Sequence, residues 1–501
     1  MGRDVDRKRP SVRPGWLNPL GLFLAALLLR AGTLVLRPFN GLYGQDPYFY
    51  DGLARDLWAA AVGGGPLPRT PWPVGYPLMV AAALPLTGFA SSAGQWVSLA
   101  AGAVMAPLVY LLAYELLVSK DRPGAEARRT GLVAGALTAV SGQLLQSSVV
   151  AMSDAPALCW VTLSAWALAR YARRPRAVWL AAAGFGLTWG AITRWEYVLL
   201  ALPFAAFAVR RLRGRQRWRH WAAALLVGLL ILAPQLLLLS RRPLTVRSDG
   251  WSLRNAVRSE FVTGAGFDRY TWPTGLFYVK PIVSPGYLLP LFTPALVLGA
   301  VVTLRRRWWD VTLLLGGWGA VMYAALAGLP FQSFRYALAY LPPVMILTAL
   351  GLRRAVAGMG RRWRGVARGV VALGIAATAG WGGYRTNQLI RGWQADKAVV
   401  RWALGQLPAD ATLLSHGLTL IAQHESSLEI LDLYEVTPDD LKALTSDGRP
   451  DYVLVDPQFV EEQWAGRAPS ENLRWLRDGP GLERLAARGR YTLFQVRRFR
   501  R

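Results

Sequence analysis

The sequence predicts a mainly α, polytopic membrane helix bundle with a long loop after its first span and a small α/β domain at its C-terminal end. Three observations predict it. The chain of 501 residues is 53% hydrophobic, with a mean hydropathy of +0.25, apolar for a soluble protein of that length. Apolar runs near the ~20 residues that a membrane-spanning helix needs recur up to residue 384 and then stop. Arginine and lysine gather in blocks between alternate runs, the bias of loops on the cytoplasmic side.

In order, residues 1–16 are a basic N-terminus with Arg3, Arg7, Lys8, Arg9 and Arg13, expected on the cytoplasmic side. The apolar runs that follow lie at 17–36, 95–117, 131–150, 155–172, 177–193, 197–209, 221–239, 287–304, 311–328, 338–352 and 369–384, which makes about eleven spans. The first has no small-residue cleavage signal behind it and is expected to remain as an anchor. It contains Arg30, which either snorkels to the interface or faces protein or a water-filled cavity. In the first loop, 38–93, Asp46, Tyr50 and Ala54 share one helical face, and Asp51 and Arg55 stand four apart as a pair. Leu53, Leu57 and Trp58 supply an apolar stripe suited to a helix on the membrane surface. Gly63 to Gly65 end that helix. Residues 74–87 are short and carry Pro77 and Pro85 behind Pro73, so they read as an interfacial helix. Counted as a span, they would put the basic loop 119–129 on the wrong side.

Ser-Asp-Ala-Pro at 153–156 and Arg194 to Glu196 interrupt the hydrophobicity between 131 and 209. Ser153 can cap a helix with Pro156 in its first turn. Asp154 is then either an N-terminal acid favoured by the helix dipole or a second acid of a site. The loop 240–286 carries Arg241, Arg242, Arg247, Arg254, Arg258, Arg269 and Lys280, against the charge bias kept elsewhere. An anionic ligand explains such an exception. Ser333, Phe334, Arg335 and Tyr336 repeat the basic–aromatic theme. The membrane domain is placed at 17–390 and a water-exposed domain at 391–501. The latter has an amphipathic helix at 395–407, strands near 412–414, 428–433, 452–455 and 491–496, and a helix start at Thr437-Pro438-Asp439-Asp440. Asp451 and Asp456 read as turn residues.

Composition also excludes. The net charge of +27 is accounted for by the blocks Lys120–Arg129, Arg170–Arg176, Arg210–Arg219, Arg305–Arg307 and Arg353–Arg368, so no nucleic-acid partner is called for. Cys159 is the only cysteine, which rules out an intramolecular disulfide and a Cys-based metal site. His416 and His424 stand eight apart, not the four that puts two imidazoles on one helix face. No cofactor is required by the sequence, and a divalent metal has no support in it.

The basic blocks place 38–93, 150–154, 194–196, 240–286, 329–335 and everything after 385 outside the cytoplasm. That face gathers carboxylates, arginines and aromatics, with Asp46 at the centre. A carboxylate takes the proton of an attacking hydroxyl. Arginines hold a phosphate bidentately and stabilise it as it leaves. Aromatics such as Tyr48, Tyr50 and Tyr76 line a slot for a sugar or a lipid chain. Arg55, Glu196, Arg258 and Lys280 complete the set of candidate binding residues. These parts suit transfer of a sugar from a lipid phosphate to an acceptor hydroxyl. A transporter or flippase for a lipid-linked sugar or another anionic solute uses similar parts, although no internal repeat of the transporter kind is present.

The chain resembles the GT-C superfamily of polytopic glycosyltransferases, in particular the relatives of dolichyl-phosphate-mannose protein mannosyltransferases and of the lipid A aminoarabinose transferase. The marks are Asp46-Pro-Tyr-Phe-Tyr with Ala54 after the first span, Pro73-Val-Gly-Tyr-Pro, Met152-Ser-Asp-Ala-Pro, Ile192-Thr-Arg-Trp-Glu, and Phe334-Arg-Tyr with Pro342-Pro343. The resemblance implies that Asp46 is the catalytic base, that Asp154 is a second acid, and that Arg194, Arg335 and Tyr336 help bind the donor phosphate. It implies a polyprenyl-phosphate sugar as donor, a lipid, glycan or protein as acceptor, and a bacterial plasma membrane as the setting. The chain departs from the family pattern in having Asp46-Pro47 where Asp-Glu is common, and in lacking the histidine that some members place in the loop corresponding to 240–286.

Overall fold

The computed structural model describes residues 17–70, 72–118, 124–211, 218–239, 250–263 and 266–497. Each apolar run is helical: Leu17–Leu36, Ala93–Leu117, Gly124–Val140 with Gly142–Ser148, Asp154–Arg173, Ala177–Thr193, Ala201–Arg211, Trp218–Leu239, Pro290–Arg305, Trp309–Ala327, Phe334–Gly358 and Arg361–Leu404. Among the described residues, six of these helices are long and apolar enough to cross a membrane by length and composition. The chain is an integral membrane protein built as a helix bundle.

The bundle closes on small residues. Helices Thr293–Arg305 and Leu341–Gly358 meet at Gly299 and Gly351, where an added Cβ would overlap the carbonyls of Leu347 and Ala295. Helix Gly142–Ser148 crosses the 44-residue helix Arg361–Leu404 at Gly142 and Gly382; a Cβ on either would lie 2.8 Å from the other's Cα. Such contacts let backbones approach where water supplies no hydrophobic drive between helices. Arg30 does not snorkel. It is fully buried, and its Nη1 donates to the carbonyls of Ala26 (2.9 Å) and Ala139 (3.3 Å), tying the first helix to the Gly124–Val140 helix. At the arginine-rich end of the bundle Glu115 is buried and accepts from Arg170 and Arg173, which pins Ala93–Leu117 to Asp154–Arg173.

The first loop forms two short helices. Asp46–Val62 ends at Gly63, as its sequence predicts. Gly75–Ala83 has nine residues, roughly 14 Å, less than half the hydrocarbon thickness, so it does not span. Loop residues 38–43 are held by the long helix: Lys397 Nζ donates to Asn40 Oδ1 (2.6 Å), Gln394 donates to the Pro38 carbonyl (2.8 Å), and Trp393 stacks on Tyr43 at 4.1 Å.

The C-terminal part is a five-stranded sheet in the order Glu429–Asp432, Thr412–Ser415, Tyr452–Val455, Tyr491–Val496, Leu482–Arg488. The first three strands are parallel and the last two antiparallel. Strand Leu482–Arg488 is absent from the sequence expectation; it is an edge strand with charged residues and little burial. Thr437 caps its helix with the reciprocal bonds of a capping box. Asp456 caps the helix Pro457–Gln463, and Asp451 accepts from the Thr412 N–H. One boundary differs. The sequence breaks the chain at 390, with a separate amphipathic helix beginning at 395. The structure carries one helix, Arg361–Leu404, straight across, because no proline interrupts 361–404 and the apolar face simply changes partner from the bundle to the sheet.

Candidate active site

Four charged side chains meet where four helical elements begin or end. Asp46 is the first residue of Asp46–Val62, followed by Pro47, whose missing N–H suits that turn. Asp154 opens Asp154–Arg173. Ser153 occupies the cap position without a side-chain bond to the helix; its hydroxyl lies 3.3 Å from the Tyr50 phenol instead. Arg194 follows Ala177–Thr193 with extended backbone, at the break that the sequence places at 194–196. Arg335 lies in the 3-10 turn Phe334–Tyr340 that leads into Leu341–Gly358.

The charges form two ion pairs, the second of them joined by Glu196. Arg335 Nη2 donates to Asp46 Oδ2 at 2.8 Å. Arg194 Nη1 donates to Asp154 Oδ1 at 2.6 Å and its Nε to Glu196 Oε1 at 2.5 Å. Both guanidinium groups lie over the Tyr336 ring, at 4.9 Å for Arg194 and 5.1 Å for Arg335. The pairs differ in burial. The Arg194 and Asp154 side chains are 13% and 4% exposed, those of Arg335 and Asp46 25% and 28%. Asp46 and Arg335 therefore form the accessible pair, whereas Asp154 braces Arg194 from behind and leaves its buried Oδ2 without a partner. Burial pushes the Tyr50 phenol up to about 12 against the lowering effect of Arg194, so it stays a neutral hydrogen-bonding group.

Asp46, Tyr50, Ser153, Arg194, Glu196, Arg335 and Tyr336 line a cavity of about 330 Å³ with Trp72, Pro73, Thr193 and Trp195, and Asp154 lies behind its wall. A second hollow of about 480 Å³ shares Arg194, Glu196 and Tyr336 with it and continues as an apolar groove along Leu199, Trp251, Leu326, Leu329 and Phe331. The groove residues come from segments far apart in sequence, and no sequence pattern marks them. Trp195 and Trp72 stand inside or beside motifs already singled out.

Of the candidates named from sequence, Asp46, Tyr50, Arg194, Glu196, Arg335 and Tyr336 line the cavity. Tyr76 is fully buried behind Tyr50, its phenol donating to the Gly94 carbonyl at 2.8 Å. Tyr48 turns toward the C-terminal domain, with its ring 5.3 Å from that of His424. Arg55 is taken by Asp51 at 2.9 Å and by the Phe89 carbonyl at 3.0 Å. Arg258 and Lys280 are exposed and lie outside both hollows. Arg241, Arg242 and Arg247 lie outside the described residues. Among the described residues no three of His, Cys, Asp and Glu converge as metal ligands.

This helical architecture, with its polar cavity at one end, is a GT-C-like fold. The family model for dolichyl-phosphate-mannose-protein mannosyltransferases matches residues 72–238. Solved structures with a similar fold include two that superpose over most of this chain. ArnT from Cupriavidus metallidurans bound to undecaprenyl phosphate superposes with a TM-score of 0.61 over 95% of this chain and 97% of its own, at 13% identity. The Archaeoglobus fulgidus oligosaccharyltransferase superposes with a TM-score of 0.59 over 95% of this chain and 73% of its own, at 12% identity. No curated protein matches the sequence.

Proposed function

We propose that the chain is a membrane glycosyltransferase that moves a sugar from a polyprenyl-phosphate donor to a hydroxyl of a lipid, glycan or protein acceptor on the extracytoplasmic side. The observation that carries this reading is the continuity of the charged cavity with the apolar groove through Arg194, Glu196 and Tyr336. A lipid phosphate has that same pairing of an anionic head and a long apolar chain. The ArnT of the same fold is bound to undecaprenyl phosphate, which supports the class of donor. The positive-inside distribution of the basic blocks supports the side.

In this reading the isoprenoid chain lies along Leu199, Leu326, Leu329 and Phe331, and the phosphate sits between Arg194 and Arg335. The acceptor oxygen attacks the sugar's anomeric carbon. The bond from that carbon to the phosphate oxygen breaks, and its electron pair goes to the phosphate. Arginines aimed at that oxygen stabilise the charge as it develops. Asp46 accepts the acceptor's proton. Asp46 and the donor phosphate compete for the Arg335 guanidinium, so donor binding frees the carboxylate to act as base. Asp154 and Glu196 are positioning residues: they fix Arg194 in its rotamer before the donor arrives. The C-terminal domain packs against the Asp46 loop through Leu42 and Tyr48, a location suited to presenting an acceptor.

The test is incubation of the purified protein with radiolabelled polyprenyl-phosphate sugars and candidate acceptors. Loss of label from the lipid with release of polyprenyl phosphate supports the reading. Intact donor crossing a vesicle membrane without cleavage would replace it with transport of a lipid-linked sugar.

A further inference from the structure

A third hollow, with a charged rim, lies at the far end of the bundle. Helix Phe334–Gly358 connects the two ends: Arg335 belongs to the cavity and Arg353 to the hollow, 18 positions on, which is roughly 30 Å along the axis. That is the hydrocarbon thickness of a bilayer. The hollow measures about 670 Å³, and its rim carries Arg129, Arg353, Arg364 and Arg368. Its floor is apolar, with Val133, Leu352, Val371 and Ile375.

The four arginines are not equivalent. Arg353 is anchored: its Nη1 donates to Thr130 Oγ1 at 2.9 Å and to the Glu126 carbonyl, and its Nη2 lies 3.7 Å from Glu126 Oε1. Arg364 is anchored too, donating to the carbonyls of Met359 (3.0 Å) and Ala357 (3.2 Å) at the end of the preceding helix. Neither uses all five of its donors. Arg129 and Arg368 are exposed and make no ion pair among the described residues. Glu126 is the one acid in these contacts, and Arg353 takes it. A guanidinium cluster over an apolar floor, one bilayer thickness from the cavity, matches a phosphodiester carried on acyl chains. Basic pockets between membrane helices hold such headgroups.

We infer that this groove binds an anionic phospholipid in the leaflet opposite the Asp46 cavity, with Arg129 and Arg368 contacting the phosphate and the acyl chains lying on Val133 and Ile375. The inference does not depend on the reaction assigned to the other end. Native mass spectrometry of the purified full chain, titrated with phosphatidylglycerol or phosphatidylcholine, tests it. The wild-type protein should prefer phosphatidylglycerol. Arg129→Ala/Arg368→Ala should weaken phosphatidylglycerol binding about 30-fold, since each arginine at an anionic surface contributes about a factor of five. Arg129→Lys/Arg368→Lys should stay within a few-fold of wild type, which separates loss of charge from misfolding. Arg335→Ala should leave the affinity unchanged, which separates this groove from the cavity. Equal binding of the two lipids, an unchanged affinity in the double alanine variant, or a loss confined to Arg335→Ala would each overturn the inference. Displacement of the lipid by millimolar inorganic phosphate would overturn it as well, marking a soluble-anion site.

Discussion

Asp46→Asn isolates the proton transfer proposed for Asp46 from the other contacts that its carboxylate makes. Asparagine keeps the size of the side chain and an oxygen that still accepts from Arg335, at 2.8 Å in the native pair. It cannot take a proton. Loss of a general base slows turnover roughly 10²- to 10⁴-fold, or about 2.7–5.4 kcal/mol of barrier. The structural cost of the change is much smaller. The two side chains are 28% and 25% exposed, and a solvent-accessible ion pair contributes about 1 kcal/mol or less. The first-turn acid adds about 0.3–1 kcal/mol from the helix dipole. A protein with about 5–15 kcal/mol of stability remains folded after such a loss. Single-turnover release of polyprenyl phosphate at saturating donor, with donor affinity measured separately, reads the effect: turnover falls at least ~100-fold while affinity is kept or tightened, because a neutral amide competes less than a carboxylate for Arg335. Asp51→Asn, whose carboxylate serves Arg55 away from the cavity, falls far less. A turnover within threefold of wild type in Asp46→Asn would refute the reasoning and turn attention to Asp154.

Four further outcomes are expected. Arg335→Ala stays folded and raises the donor concentration needed for saturation, whereas Arg194→Ala strands the buried Asp154 carboxylate and costs about 3–5 kcal/mol; a lowered thermal midpoint for Arg194→Ala, restored in Arg194→Ala/Asp154→Ala without recovery of donor use, is the pattern to look for. Gly351→Val drives a side chain into the Ala295 carbonyl, so the variant should express at a small fraction of the wild-type level in membranes, and normal expression would contradict the close helix contact. Arg401 hydrogen-bonds Glu425 and holds its carboxyl below the usual carboxylate range, so the pair stabilises the fold above the unfolded carboxyl's titration and loses that contribution as pH falls through the lower folded value; comparing melting of wild type and Glu425→Gln across acid pH checks this, the difference shrinking in acid. A cysteine at the exposed Ser427 in Cys159→Ser protein should react with a membrane-impermeant reagent in intact cells, and reaction only after lysis would reverse the proposed orientation.

Much of the architecture was legible because lipid imposes length and composition on each helix. The apolar runs are helices, and the interruptions at 153–156 and 194–196 are where backbone leaves the bundle to form the site. Asp46, Arg194 and Arg335 stood out as charges at the margins of apolar sequence, and they share one cavity. Periodicity could not tell which aromatics face it. Tyr48, Tyr50 and Tyr76 have the same composition signal, yet tertiary packing sends one to the C-terminal domain, one to the cavity and one into the core. The pairing of Asp154 with Arg194 also escaped, since the two stand 40 residues apart and only the docking of neighbouring helices joins them. The apolar groove was invisible for the same reason. Arg30 carried two readings from sequence alone, and burial decided between them.

The contact of Gly142 with Gly382 has a mechanical side. Gly382 is near the midpoint of the helix Arg361–Leu404, with 21 residues before it and 22 after, so the crossing serves as a fulcrum at the centre of a rod roughly 66 Å long. One arm carries Arg364 and Arg368 at the phospholipid groove; the other carries Lys397 and Trp393 against the loop that leads to Asp46. A rotation of about 5° about that point moves each tip by roughly 3 Å in opposite directions, on the scale of one hydrogen bond. A side chain at either glycine would force the two helices apart at this crossing, and both ends of the rod would have to take up the displacement.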